Sequence, residues 1–204
     1  MYKPQFFFCL RRDVSFLPAA LVLQKPIEMI TRKERQAAKA VNFGLVFGMG
    51  ASGLKAYARD TYGVEMSLDE AEVFKKRFFI AFRGVEAWHK EIQKLKPVSS
   101  RTLAGRKHTC AMDSGMSGRY NTPIQDSAAD ILKNALGMLY VALQKTNTFI
   151  VAVIHDEIVL ECDETNAKET AVLLRSTMEQ AGSRYMKDVP VVAEFSIADS
   201  WAEK

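Results

Sequence analysis

Arg35, Lys39, Phe43 and Phe47, spaced four apart, carry the first sign of chemistry in this 204-residue chain. On a helix each step of four drifts ~40° about the axis, so the set forms a slowly winding stripe ~18 Å long. It reads cation, cation, aromatic, aromatic. An arginine fork and a lysine point charge can hold a polyphosphate, and the aromatic end can meet a sugar and base by stacking. That order suits a nucleoside triphosphate lying along a helix. The alternative is a surface helix with its cations in water and both phenylalanines in the core. A second constellation is His155-Asp156-Glu157, set between two apolar runs. A carboxylate on a rigid hairpin can bind Mg²⁺, which takes one or two protein carboxylates together with phosphate oxygens and water. The alternative is a solvated acidic turn, with His155 packing or hydrogen bonding.

These residues need elements to position them. Thr31-Arg32-Lys33-Glu34 is a capping box that predicts a helix over 31–48, ended by Gly48, Gly50 and Gly53. A short helix follows over 54–62. A second box, Ser67 to Glu70, opens a helix over 67–82, and Gly84 separates it from another that ends before Pro97. Residues 101–108 read as a short strand or hairpin with a basic edge. Gly115 and Gly118 mark a loop, and Pro123 suits the first turn of a helix running to about Lys145. The runs 149–154 and 158–162 predict a β-hairpin with 155–157 between its strands. A helix over 165–186 and a strand over 189–197 follow. Residues 1–12 show no pattern, and 13–30 are broken by Pro18 and Pro26. This order predicts an α+β unit, an antiparallel sheet backed by helices. Gly48-Met49-Gly50-Ala51-Ser52-Gly53 fits G-x-G-x-x-G, but a helix rather than a strand precedes it, so no dinucleotide site is expected.

Composition sets the bounds. With 48% hydrophobic and 25% charged residues, the chain is of globular type with a buried core. No apolar run reaches the ~20 residues of a membrane span. The first residues lack a small-residue cleavage site and run into Arg11-Arg12, so no export signal is read. Cys9, Cys110 and Cys162 are dispersed, which points to a reducing compartment and to neither a disulfide framework nor a zinc site. Residues 1–108 carry 20 Lys+Arg against 10 Asp+Glu, whereas 109–204 carry 8 against 14. A basic half joined to an acidic half suits a protein that holds a polyanion on one side and metal ions on the other. Chance distribution over solvated helix faces gives the same count.

The segment Arg35 to Gly48 resembles the fingers motif of family A DNA polymerases, R-x₃-K-x₃-F-x₃-[YF]-G. Asn121-Thr122-Pro123-Ile124-Gln125, with Ser127-Ala128-Ala129-Asp130, resembles the family's N-x-P-x-Q-G-[ST]-A-A-D helix. Val153 to Glu157 resembles its metal-binding palm hairpin, and Thr102 to Lys107 its T-x-x-G-R-R segment. The four stand in family order. The terminal Ser200 to Lys204 also looks like the family's end.

The resemblance implies roles. Arg35 and Lys39 contact the incoming triphosphate, and Lys39 can also donate a proton to the leaving pyrophosphate. Phe43 abuts the sugar, where Phe rather than Tyr disfavours dideoxynucleotides. Phe47 stacks near the templating base. Asn121 and Gln125 meet the minor-groove edge, where A·T and G·C acceptors look alike. His155 lies near the primer terminus, and Arg101 and Arg106 contact the nucleic-acid backbone. Asp156 is one of two metal-binding aspartates, with Glu157 as its catalytic neighbour; two Mg²⁺ ions are expected in a complete polymerase.

The implied architecture is a helical fingers subdomain with connector over 13–120 and a partial palm over 121–204, with 1–12 unassigned. The D-Y-S-Q-I-E-L-R-like strand that carries the second aspartate is not found, and neither is a thumb. Asp13 to Ala20 resembles the family's D-[IV]-H-x-x-T-A segment, with Ser15 for His and Pro18 for Thr. Asp126 stands where Gly is usual. The expectation is therefore a C-terminal polymerase fragment, inactive alone, with an incomplete sheet and an exposed edge. Primer–template DNA, dNTPs and a separate N-terminal polymerase fragment are its expected partners, without a membrane. The expected setting is cytoplasmic, of bacterial or phage type, with an organelle also compatible. Competing readings are a non-catalytic DNA-binding remnant and a small metal-dependent hydrolase built on Asp156 and Glu157.

Overall fold

The computed structural model describes residues 5–8, 20, 25–94, 100–108 and 115–200. Cys9, Cys110, residues 13–19 and residues 201–204 lie outside the described residues. The chain forms two compact units. The first takes its described residues from 13–101 and 107–124, the second from 1–12, 102–106 and 125–200. One boundary between the units falls after residue 124, inside a helix.

The first unit is helical: α1 (Arg32–Val46), α2 (Ala51–Tyr62), α3 (Leu68–Ala81) and α4 (Arg83–Lys94). Both capping boxes form. Glu34 N–H donates to Thr31 Oγ1 at 3.2 Å while Thr31 N–H donates to Glu34 Oε2 at 3.0 Å. Ser67 and Glu70 repeat the exchange at 3.1 and 2.7 Å. Each box satisfies end amides that no helical carbonyl can reach. The core joins Val41 and Leu45 of α1, Leu54 and Ala58 of α2, and Ala71 and Phe78 of α3. Gly44 lets α1 and α2 approach closely, since a Cβ there would lie 3.1 Å from Leu54 Cδ1.

Two expected breaks are corrected. Gly50 is the N-cap of α2, so Gly53 lies inside that helix instead of ending α1. The break before α4 is at Phe82, with Gly84 in the first turn of α4. Phe82 leaves helical geometry, yet its N–H still bonds to Phe78 O at 2.8 Å.

The end of α1 is a Schellman motif. Met49 N–H donates to Gly44 O at 2.9 Å and Gly48 N–H to Leu45 O at 3.1 Å. Gly48 takes the left-handed conformation this requires, with φ +79°. A Cβ at Gly48 would fall 2.4 Å from Tyr120 Cε2, so an aromatic ring lies directly on the turn. Within the same unit, β2 (Ser100–Arg101) pairs with β3 (Lys107–His108), as the basic hairpin predicted.

Helix α5 (Met116–Leu143) runs through both units. It starts earlier than expected: Gly118 and Pro123 are both inside it. Pro123 withholds one N–H from the helix, but Tyr120, 2% exposed, anchors the preceding turn.

In the second unit an antiparallel sheet has the order β4 (Thr148–Ile154), β5 (Glu157–Cys162), β1 (Gln5–Phe8), β6 (Ser196–Ala198). Helices α5 and α6 (Ala167–Ser183) back it through Leu139, Leu143, Ile158, Leu160, Ala171 and Leu174. β1 corrects one expectation. Residues 1–12, unassigned from sequence, hold a strand, and it lies between β5 and β6, leaving β4 and β6 as the edges of the sheet. Its Gln-Phe-Phe-Phe run has no alternation, and its partners lie about 150 to 190 residues away in sequence. The last strand is shorter than expected, because Ala193 N–H donates to Glu179 Oε1 at 3.1 Å rather than to a ladder. Among the described residues no helix is long and apolar enough to cross a membrane.

Gly48→Ala combines a left-handed backbone with a clash against Tyr120. It should destabilise the fold by about 2–4 kcal/mol. Urea unfolding measures the loss, and adding Tyr120→Ala should recover the clash component but not the backbone component.

Candidate functional site

The capping box starts α1 at Arg32, and Ala38, Ala40, Val41, Gly44 and Leu45 form its buried face. Arg35 and Lys39 are half-buried beside that face, and Phe47 is half-buried at the C-cap. Phe43 is 42% exposed, so it is not a core residue. Of the stripe read from sequence, Phe43 is thus the exposed member, while Arg35, Lys39 and Phe47 are half-buried. Glu34, next to Arg35, is already engaged. The Lys25 ammonium and the Thr31 amide and hydroxyl draw its pKa down to about 2.

In the second unit, β4 and β5 turn over two residues, His155 and Asp156, closing on the Ile154–Glu157 pair. Glu157 is thus the first residue of β5 and not part of the loop. His155 has φ +55°, the one positive value on a non-glycine among the described residues. Short hairpins need a left-handed residue to match strand twist. Histidine holds that position at a cost of about 1 kcal/mol. The arrangement fixes the directions in which His155 and Asp156 leave the turn. A register shift between Ile150 and Ala152 marks a bulge partway along β4, which adds local twist. Asp156 is exposed and Glu157 half-buried.

Among the described residues no three His, Cys, Asp or Glu side chains gather as a metal cage. Mg²⁺ needs no such cage where substrate phosphates and water complete its shell. Asp156 fits that use, with Glu157 beside it.

Arg106 has a structural engagement that sequence did not reveal. The turn it ends is closed by Thr102 N–H donating to Arg106 O at 3.0 Å, and Leu103 N–H donates to Ser127 Oγ of α5 at 2.9 Å. Arg106 Nε donates to Asp130 Oδ1 at 2.8 Å and Nη2 to Asp126 O at 3.2 Å, with Asp126 Oδ2 3.8 Å from Nη1. Asp130 is held below the usual carboxylate range by the Thr102 hydroxyl and the Arg106 guanidinium, against the opposing effect of desolvation. Asp126, the unexpected charge, is thereby part of a clamp on Arg106.

Arg101 is exposed on β2 and Gln125 is exposed on α5. Asn121 is half-buried, and its Oδ1 is buried without a hydrogen-bond partner. Arg35, Lys39, Phe43, Phe47, Arg101 and Asn121 fall in the first unit; Arg106, Gln125, His155, Asp156 and Glu157 fall in the second. Sequence reasoning missed the brace around Tyr120 and the use of Ser127 and Asp130 to pin the turn. The signal was present in Gly48, directly after Phe47, and in the spacing of Ser127 and Asp130.

The model for DNA polymerase family A matches residues 6–203. The chain belongs to DNA polymerase family A. Its relatives in family A include DNA polymerase I of Aquifex aeolicus, 40% identical over 198 residues, covering 94% of this chain and 34% of that protein. The thermostable DNA polymerase I of Thermus filiformis is 31% identical over 207 residues, covering 94% of this chain and 23% of that protein. The chain thus spans about a third or less of these family A relatives. A similar solved structure is the POL domain of Pol1 from M. smegmatis in complex with DNA primer–template and dNTP. It superposes with a TM-score of 0.85 at 25% identity, covering 98% of this chain and 40% of that one. Family A membership and the mostly helical fold with small antiparallel sheets agree.

The depressed Asp130 pKa has a defined sign. Its stabilisation is fully present above the unfolded aspartate value of about 4 and is lost as pH falls through the lower folded value. Urea midpoints should therefore drop below about pH 4. Asp130→Asn should be less stable at neutral pH and show a shallower acid limb.

Proposed function

We propose that this chain is the nucleotide-holding and part of the metal-binding portion of a DNA-directed DNA polymerase. The reaction is template-directed transfer of dNMP from a dNTP to a primer 3′-hydroxyl, with release of pyrophosphate. The first unit corresponds to a fingers subdomain and the second to a partial palm. One observation carries the reading: Arg35, Lys39 and an exposed Phe43 lie along α1, which ends at Phe47. Family membership supports it, as does likeness to a polymerase domain whose own complex holds primer–template DNA and dNTP.

In this reading the Arg35 fork holds phosphate oxygens in the plane of its guanidinium. Lys39 adds a point charge and donates a proton to the pyrophosphate oxygen as the bond to the α-phosphorus breaks. Phe43 sets the sugar and Phe47 offers its ring to the base pair being formed. Asn121 and Gln125 hydrogen-bond minor-groove acceptors common to every pair, which tests pair shape without reading sequence. His155 stands by the primer end, and Arg101 takes a backbone phosphate. The same role for Arg106 competes with its hold on Asp130 and Asp126. Asp156, with Glu157 beside it, would hold Mg²⁺, which supplies Lewis-acid stabilisation of the phosphoryl oxygens when bound.

Two-metal transfer places its ions ~3.5–4 Å apart between shared carboxylates. The strand beside β5 reads Gln-Phe-Phe-Phe and carries no carboxylate. This favours a chain that binds nucleotide and DNA without extending a primer by itself, either as the partner of a separate N-terminal fragment or as a DNA-binding remnant.

Titration with a fluorescent dATP analogue and Mg²⁺ tests the nucleotide reading. Saturable binding is expected, with Arg35→Ala and Lys39→Ala each weakening it about tenfold. Failure of the wild-type chain to bind defeats the reading. Primer extension by the purified chain is expected to be undetectable; steady extension abolished by Asp156→Ala would overturn the inactivity of the isolated chain.

A further inference from the structure

A Schellman motif satisfies the carbonyls of Gly44 and Leu45 and leaves the next one, Val46 O, without a helical donor. That carbonyl is met by another helix. His89 of α4 places Nε2 2.8 Å from Val46 O. Since a carbonyl only accepts, Nε2 carries the proton. His89 is 7% exposed, and its ring is held on several sides. It stacks on Tyr120 at 4.0 Å between centroids and 22° between planes, and Phe79 meets it edge-on at 5.7 Å. Tyr120 is fixed in turn, because Gln93 Nε2 donates to its hydroxyl at 2.9 Å and Gly48 lies against the Cδ2–Cε2 edge of its ring.

The result is a closed brace. Gly48 makes the turn, Tyr120 covers the turn, His89 stacks on Tyr120, and His89 caps the carbonyl two residues before Gly48. Phe47, the residue assigned to the base pair, sits between the two held points. Its backbone direction is therefore set by His89 and Tyr120, neither of which lies on α1.

We propose that His89 is a positioning residue for nucleotide binding, acting as a tertiary C-cap that fixes the end of α1 and the direction of Phe47. This rests on the nucleotide-helix reading of α1. His89 itself touches no substrate in this scheme; its effect passes through Val46 O.

Two variants separate the hydrogen bond from the bulk of the ring. His89→Met keeps volume and loses the donor, while His89→Gln retains an N–H donor. With the fluorescent dATP analogue and Mg²⁺, His89→Met should bind about fivefold more weakly, from the loss of one hydrogen bond. His89→Gln should return to within about twofold of wild type. Affinity is measured on folded protein, verified by near-ultraviolet circular dichroism, so a merely structural role would leave it unchanged in both variants. Nitrogen-15 spectra of the wild-type ring supply a readout that needs no variant, with the neutral form expected as the Nε2–H tautomer.

An Nδ1–H tautomer would falsify the cap. Wild-type binding matched by His89→Met defeats the positioning role alone, as does failure of His89→Gln to recover affinity. Absence of binding by the wild type defeats the nucleotide reading and the positioning role with it, even where the tautomer shows that the cap exists.

Discussion

The end of α1 is the constraint on which the first unit depends. A helix must dispose of its last carbonyls, and here two separate parts of the chain share that task. Gly48 supplies the left-handed turn, Met49 returns an amide to Gly44, and His89 donates to Val46 O. The turn lies so close to Tyr120 that no side chain fits between them. Because Tyr120 belongs to α5 and His89 to α4, the end of α1 cannot move without disturbing both. A stripe proposed to hold an extended ligand needs its ends fixed relative to one another, and this packing fixes one end as the Thr31–Glu34 box fixes the other.

The second unit solves a different problem. Its hairpin sets Asp156 at a strand end, and a two-residue turn leaves little freedom there. The positive φ at His155 is local strain held in place by the apolar ladder on either side. β5 is firmly supported, with Ile158, Val159 and Leu160 buried and β1 paired along its outer edge. The same unit uses Asp130 and Asp126 to hold Arg106. Fixed internal partners of this kind explain why a cation read from sequence as a DNA contact can serve the fold first.

Much of the candidate site was legible because its signals are local. Four-residue spacing put Arg35, Lys39, Phe43 and Phe47 on one helical flank, and the capping box located the helix start. Two apolar runs around an acidic tripeptide gave the hairpin. The failures have physical causes of their own. Gly53 and Gly84 were read as breaks, yet glycine in a first helical turn costs little when the adjacent backbone already defines the start. Pro123 was placed in a first turn because propensity cannot see Tyr120 anchoring the turn before it. The Gln5–Phe8 run had no periodicity to read, and its role depends on strands far along the chain.

By itself the sequence determined the chemistry on offer: which cations and aromatics share a helix flank, which carboxylates stand at a hairpin, and which family's motifs they match. These follow from spacing, since residues three, four or two apart meet whenever their element forms. Tertiary structure decided what each group is free to do. It left Phe43 in the open, engaged Arg106 with two carboxylates, set β1 inside the sheet, and gave Val46 O a donor from His89. Those outcomes depend on contacts between segments distant in sequence, and no local pattern encodes which segments will meet.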